Sequence, residues 1–293
     1  MKIKQSAGSR IFDICNTVFM ILLMFIMLYP VYYIAIVSIS GGREVLAGTV
    51  AFYPKAITLE SYKLVFANAD IFTAYGNTFL YTGVGTFVNI LMTMLCAYPL
   101  AQPKLPGKSV IMKIIVFTMF FSGGMIPSYL LIKQLHLLNS IWAIVLPGAI
   151  STYNMILART FLMGLPHGLV ESAYLDGAND FQVFYKIMLP LSKPIIATLV
   201  LFYAVGHWNS YMDALLYLND KSLYPLQLTL RNMIVQGQMG GAAMEAGSSN
   251  DFVAVETTLK CATIMIATLP ILMVYPFVQK YFVKGVMVGS LKG

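Results

Sequence analysis

The chain has 293 residues, 58% of them hydrophobic and only 11% charged, where an ordinary soluble domain is about a quarter charged. Its formal net charge is +7; on so apolar a chain this points to the cytoplasmic loops of a membrane protein and away from nucleic-acid binding. Cys15, Cys96 and Cys261 lie far apart in apolar runs, and His136, His167 and His207 are isolated, so no metal-ligand spacing exists and no metal site is expected.

A membrane-crossing helix needs about 20 mostly apolar residues. In chain order, six segments satisfy this: residues 12–39, 77–100, 110–132, 141–163, 194–218 and 257–283. The first is too long for the apolar core of a signal peptide, roughly 7 to 15 residues, and reads as an uncleaved span. Gly83 and Gly85 in the second are expected to allow close helix approach. Before the third stands "GKS" at Gly107, Lys108 and Ser109, but the glycine a phosphate-binding loop needs five residues earlier is replaced by Gln102. Arg159, near the end of the fourth, reads as a side chain reaching for headgroups. The fifth carries "GHWNSYMDALLY", unusually polar for a span. There Trp208, Asn209, Tyr211 and Asp213 suit sugar rings, with Asn209 and Asp213 one turn apart on one face; interhelical packing is the alternative. Asn77, Asn89 and Asn154 are weaker pathway candidates.

Basic residues set the orientation. Twelve of the 19 fall at the termini and around residues 104–113 and 159–193, which places both termini in the cytoplasm. Residues 40–76 and 219–256 are then outside loops. The second holds "YPLQLTLRNMIVQ", an expected interfacial helix, followed by the Gly/Ala/Ser-rich "GQMGGAAMEAGSSND". That tip is either a connector or a segment reaching toward an external protein.

The cytoplasmic loop 164–193 stands apart from the greasy chain around it. Pro166 suits a helix start, and "HGLVESAYLDGA" reads as a short helix ending near Gly177. Ala173 and Gly177 share one face, beside a stripe of Ser172 and Asp176; small residues there would let another protein approach the backbone, with Glu171 offering a charge. A second helix is expected over residues 180–188, with Phe181, Phe184 and Tyr185 as anchors, broken by Leu189 and Pro190. A bent knob joined directly to the fifth span is lever geometry. A loop helix resting on headgroups is the alternative reading.

Glu171, Ala173, Asp176, Gly177 and Ala178, then Ile187, Leu189 and Pro190, match the "EAA…G…I.LP" signature of permease subunits of ATP-binding-cassette (ABC) importers, with Ser172 replacing the second alanine. "NTFLYTGVGTFVNILMTMLCAYPLAQPKLPGK", "FSGGMIPSYLLIKQLHLLNSIWAIVLPGAIS" and "QKYFVKGVMVGSLKG" extend the likeness over most of the chain. They resemble carbohydrate-type permeases of the maltose G-type kind, and the oligosaccharide and polysaccharide branch that includes alginate importers.

The resemblance implies an all-α, polytopic type I (MetI-like) permease of six spans in one domain, in a bacterial inner membrane. Residues 171–190 would form a coupling helix gripped by an ATPase subunit. The chain itself would carry out no bond chemistry and hold no cofactor; ATP and magnesium would sit on the partner. Implied partners are a second, different permease, two ATPase subunits, an external sugar-binding protein, an oligosaccharide and membrane lipid, with no nucleic acid. Gly240, Gly241, Glu245 and Gly247 in the outside tip would touch the binding protein. An ion-coupled transporter or channel is the rival, but Asp213 is the one clear mid-span acid and has no counterpart in a matching half. An intramembrane protease using His207 and Ser210 is a further rival.

Overall fold

α1 (Ala7–Ser38) has 32 residues, about 48 Å at 1.5 Å per residue, against a hydrocarbon core of roughly 30 Å. Phe12, Phe19, Phe25 and Met27 on it are exposed, a surface for lipid or for another apolar chain, not for water. These features come from a computed structural model that describes residues 7–67, 69–103, 105–244 and 256–273. No strand occurs among the described residues. They fall into two compact units, drawn from Met1–Ala69 with Leu230–Pro270 and from Asp70–Thr229 with Ile271–Gly293.

In the first unit, the end of α1 turns back through α2 (Gly42–Leu46) and reaches α3 (Glu60–Ala67). Ile36, Val37 and Val50 bury one another, with Cys261 packed alongside. The Ser40 hydroxyl donates to the Ile36 carbonyl at 2.6 Å and accepts from the Lys55 N–H at 3.3 Å, so one side chain pins helix end to loop. The last described helix, Glu256–Met273, has 18 residues. It meets α3 through a bond of 2.9 Å from the Ser61 hydroxyl to that of Thr258. The expected span ran on to residue 283, and its last ten positions lie outside the described residues.

The second unit is built around α4 (Ala69–Ala101), which starts eight residues before the expected span. The expected third span is two helices, α5 (Lys108–Phe120) and α6 (Met125–Gln134), bent by 111°. Gly124 makes the break: its φ of 86° and ψ of 172° lie in a region nearly closed to residues with a Cβ. The expected fourth span divides into α7 (Ile141–Val145) and α8 (Thr152–Met163), because Pro147 can neither donate its helical hydrogen bond nor clear the preceding turn. The loop 164–193 holds α9 (His167–Leu175), α10 (Asp180–Val183), a π-turn (Phe184–Met188) and α11 (Leu189–Leu191). The expected fifth span is α12 (Lys193–Asn209) and α13 (Met212–Tyr217), parted at Ser210, whose ψ of 127° is extended.

Among the described residues, three helices are long and apolar enough to cross a membrane, or up to five if each bent pair is one span. α14 (Leu226–Met244) runs beyond the expected interfacial helix into the segment read as a loose tip, so Gly240 and Gly241 lie on a helix. Glu245 and Gly247 lie outside the described residues.

Gly124→Ala is expected to destabilise the purified protein by about 1–3 kcal/mol. Gly83→Ala, whose new Cβ would meet nothing within 4 Å, should leave thermal unfolding in detergent unchanged.

Candidate functional site

The knob begins at Pro166, which is the N-cap of α9 and not its first helical residue. α9 ends through two backbone bonds: the Gly177 N–H reaches the Tyr174 carbonyl at 3.0 Å, and the Ala178 N–H the Ala173 carbonyl at 2.9 Å. This paired closure requires a left-handed residue at Gly177, whose φ is 81°. One residue later Asn179 opens α10 with a complete capping box: its Oδ1 accepts from the Gln182 N–H at 2.9 Å, and its own N–H reaches Gln182 Oε1 at 3.0 Å. Across the same turn the Tyr174 hydroxyl donates to Asp180 Oδ1 at 2.5 Å. That bond, and burial after it, push the phenol well above its ordinary pKa, so it remains a donor.

Helix continues beyond residue 188. Leu189 and Pro190 do not break it: the backbone at Met188 and Leu189 stays helical as the π-turn runs into α11. The turn comes at Ser192, where the helices on either side meet at 78°. Ser192 itself is bonded to both helices: its N–H donates to the Met188 carbonyl and its carbonyl accepts from the Ile196 N–H, each at 2.9 Å. Val183, Phe184 and Met188 of the knob share one buried cluster with Ile195, Leu199 and Tyr203 of α12 and Met94, Ala97 and Tyr98 of α4. The Tyr98 and Phe184 rings lie 5.0 Å apart.

This packing divides the quoted signature in two. Ala173 is 8% exposed, and Ala178, Ile187 and Leu189 pack against the same cluster. They seat the knob on its own core. Glu171, Ser172, Asp176, Gly177 and Pro190 are exposed. The expected small-residue docking stripe therefore fails at Ala173, which faces inward. Of the expected aromatic anchors, Phe184 is internal, whereas Phe181 and Tyr185 stand out at 72% and 66% exposure. Leu175, which the sequence reading passed over, is 88% exposed. Helical spacing sets it opposite Ala173, but only the packing of Ala173 shows which of the two faces inward. Leu175, Phe181 and Tyr185 give the tip an apolar surface of the kind that marks a protein contact. A cleft of about 720 Å³ runs beside it, lined by Tyr98 and Gln102 on one side and Glu171, Tyr174 and Phe181 on the other.

A polar seam joins α4 to α12. Asn89 Oδ1 meets His207 Nε2 at 2.6 Å, and Asn89 Nδ2 donates to the Gly148 carbonyl at 2.5 Å. The Thr93 and Tyr203 hydroxyls meet at 2.7 Å, and the Ser151 N–H donates to the Tyr203 oxygen at 3.1 Å. Both pairs thus hold the break between α7 and α8, whose backbone groups would otherwise go unmatched inside a membrane. The His207 ring lies so close over Gly85 that a Cβ there would meet Nε2 at 2.5 Å. Gly85 therefore permits close approach, whereas Gly83 faces open space. The α4 side of the seam was legible in outline: Asn89 and Thr93 are polar and lie one turn apart on one face.

The sequence matches the family described as "Binding-protein-dependent transport system inner membrane component" over residues 2–288. The chain belongs to this family. Protein LplC of Bacillus subtilis is 43% identical over 289 residues, 99% of this chain and 97% of LplC. The polygalacturonan/rhamnogalacturonan transport system permease protein YtcP of the same organism is 42% identical, covering 97% of this chain and 99% of YtcP. A solved bacterial ABC transporter involved in the import of the acidic polysaccharide alginate contains a chain with a TM-score of 0.84 and 35% identity, covering 96% of this chain and all of that one. The chain is thus a permease-type transport component and not an enzyme.

The permease does not gather its expected pathway residues on one helix face. Trp208 is 8% exposed and packs edge-on against Phe79, with ring centres 5.3 Å apart. Asn209 donates to the Val205 carbonyl of its own helix at 2.8 Å. Asp213 accepts from the Ser210 hydroxyl at 3.5 Å, beyond the break. Asn209 and Asp213 therefore do not share a continuous helix. Asn77 donates to the Ser222 and Tyr224 carbonyls, a structural staple for the loop before α14. Arg159 donates its Nε to the Leu100 carbonyl at 2.9 Å, capping the end of α4 in addition to any reach toward headgroups. His207 is engaged by Asn89 and Ser210 stands outside α12, so the two form no proteolytic pair. No cluster of metal-ligating side chains occurs among the described residues. Gly107, with φ of 72°, precedes α5, and among the described residues no strand precedes it, as a phosphate-binding loop would require.

Tyr203→Phe removes both seam bonds of that hydroxyl and should cost about 1–3 kcal/mol. Thr93→Val spares the bond to Ser151 and should cost less. Thermal unfolding of the two variants checks the order.

Proposed function

We propose that this permease is one of two different membrane subunits of an ATP-driven importer of oligosaccharides, coupled through residues 171–190 to an ATPase subunit. The observation that carries the reading is the knob: rigidly closed at Gly177, continuous with α12 through the Ser192 corner, and tipped with exposed Leu175, Phe181 and Tyr185. ATP-driven closure of two ATPase subunits would draw the two knobs together and turn α12 against α4. Glu171, Ser172, Asp176 and Gly177 are the surface part of the contact. Ala173, Ala178, Ile187, Leu189 and Pro190 hold its shape.

Both termini lie in the cytoplasm in this reading, with six crossings in which the bent helix pairs serve as single broken spans. An external binding protein delivers the sugar, and α14 with the segment after it, including Gly240, Gly241, Glu245 and Gly247, lies on the delivery side. Asn209, Tyr211 and Asp213 at the α12–α13 break, beside Trp208, are the pathway residues. The cargo is an oligosaccharide of acidic character, a reading supported by the solved relative named for alginate import. ATP and magnesium belong to the ATPase subunits.

The test is substrate-stimulated ATP hydrolysis by the reconstituted complex with its binding protein. Acidic oligosaccharides should stimulate hydrolysis and neutral ones should not; the reverse order would contradict the assignment of cargo. Glu171→Lys should reduce co-purification of the ATPase with the permease and reduce uptake with it. Full ATPase recovery with normal uptake would contradict the docking role.

A further inference from the structure

A second cleft, also about 720 Å³, opens between α5 and α8. Its polar lining is Lys108, Ser109, Lys113 and Arg159, and no acidic side chain lines it. Its floor continues into Val116 and Phe117, on a helix whose outer face, with Ile114 and Phe120, is 60% and 75% exposed at those positions. We propose that this cleft holds the phosphate headgroup of an anionic phospholipid, with an acyl chain lying along Val116 and Phe117.

Three features join here. The first is charge: three cations converge without a carboxylate to balance them. Lys108 donates one hydrogen to the Gln102 carbonyl at 3.0 Å, and Arg159 gives its Nε to Leu100; both backbone bonds fix the cations in place and leave further N–H donors on each. The second is location. Gln102 and Leu105, just before α5, line the coupling cleft together with Glu171 and Tyr174, so the basic cleft lies at the knob's end of α4. In the proposed orientation this is the cytoplasmic leaflet, where anionic headgroups gather and basic pockets between spans take them. The third is the apolar continuation along α5. A free anion would make no use of it, but an acyl chain would.

The fixed cations also bear on coupling. Arg159 ties α8 to the end of α4, so a headgroup bound there would brace the wall against which the knob rests.

The experiment uses the assembled transporter in nanodiscs of phosphatidylcholine alone or mixed with phosphatidylglycerol, with bound lipid read by native mass spectrometry after delipidation. Wild type should retain phosphatidylglycerol over phosphatidylcholine, and inorganic phosphate should not displace it. Each lysine removed, in Lys113→Gln and Lys108→Gln/Lys113→Gln, should weaken retention roughly five-fold. Lys113 is exposed, so the single variant tests the site without disturbing the fold. Equal retention of the two lipids by wild type would overturn the proposal. So would unchanged retention in the double variant. Displacement by inorganic phosphate would mark a bare anion site, and absence of bound lipid from the assembled particle would mark a protein-covered surface; either result also overturns it.

Discussion

The shape of the knob in this permease depends on the turn at Gly177. Two adjacent helices must be joined there in four residues, and the chain manages it by closing one with a left-handed glycine and opening the next with a capping box. Both devices satisfy backbone groups that a loose loop would leave to water. The turn is therefore stiff without a large core of its own. A residue with a Cβ at Gly177 would be strained by roughly 1–2 kcal/mol, which explains why that position of the signature is a glycine in physical terms.

Stiffness at the turn matters only if the knob is fixed to something that moves. The Ser192 corner keeps its helical hydrogen bonds, and one buried cluster runs from Ala173 through Phe184 to Leu199 and Tyr203. In the proposed mechanism, motion of the knob is thereby motion of α12. Further along α12, Tyr203 and His207 reach across to α4 and to the broken segment between α7 and α8. Side-chain bonds of this kind can be exchanged without unfolding a helix. They are suited to a joint that must hold in one state and shift in another.

Hydropathy alone located the apolar segments but not their breaks. Ser-Gly-Gly before Met125 and Leu-Pro-Gly around Pro147 barely change the mean hydropathy of a window, yet Gly124 and Pro147 dictate a change of direction. The break at Ser210 carries neither glycine nor proline, so nothing local announced it, and the shared face assumed for Asn209 and Asp213 was lost with it. The knob was legible because its punctuation is strong: Pro166 opens α9, Gly177 closes it, and Pro194 stands in the first turn of α12. Which of its residues face inward was not legible, since Ala173 and Leu175 lie on opposite sides of a nine-residue helix and only packing against α4 decides between them. Gly85 was readable as a close approach, but that its neighbour is the His207 ring required coordinates.

The central claim is that the knob and α12 move as one body. Spin labels at Gly168, on α9 where a Cβ meets nothing within 4 Å, and at Val200, on the exposed side of α12, report their separation in the complete transporter. Pulsed electron resonance should give the same distance in nucleotide-free and ATP-trapped particles, while the distance from Gly168 to a further label placed on the proposed partner permease changes. A Gly168–Val200 distance that shifts with nucleotide would show the knob flexing on its own, and would contradict the lever.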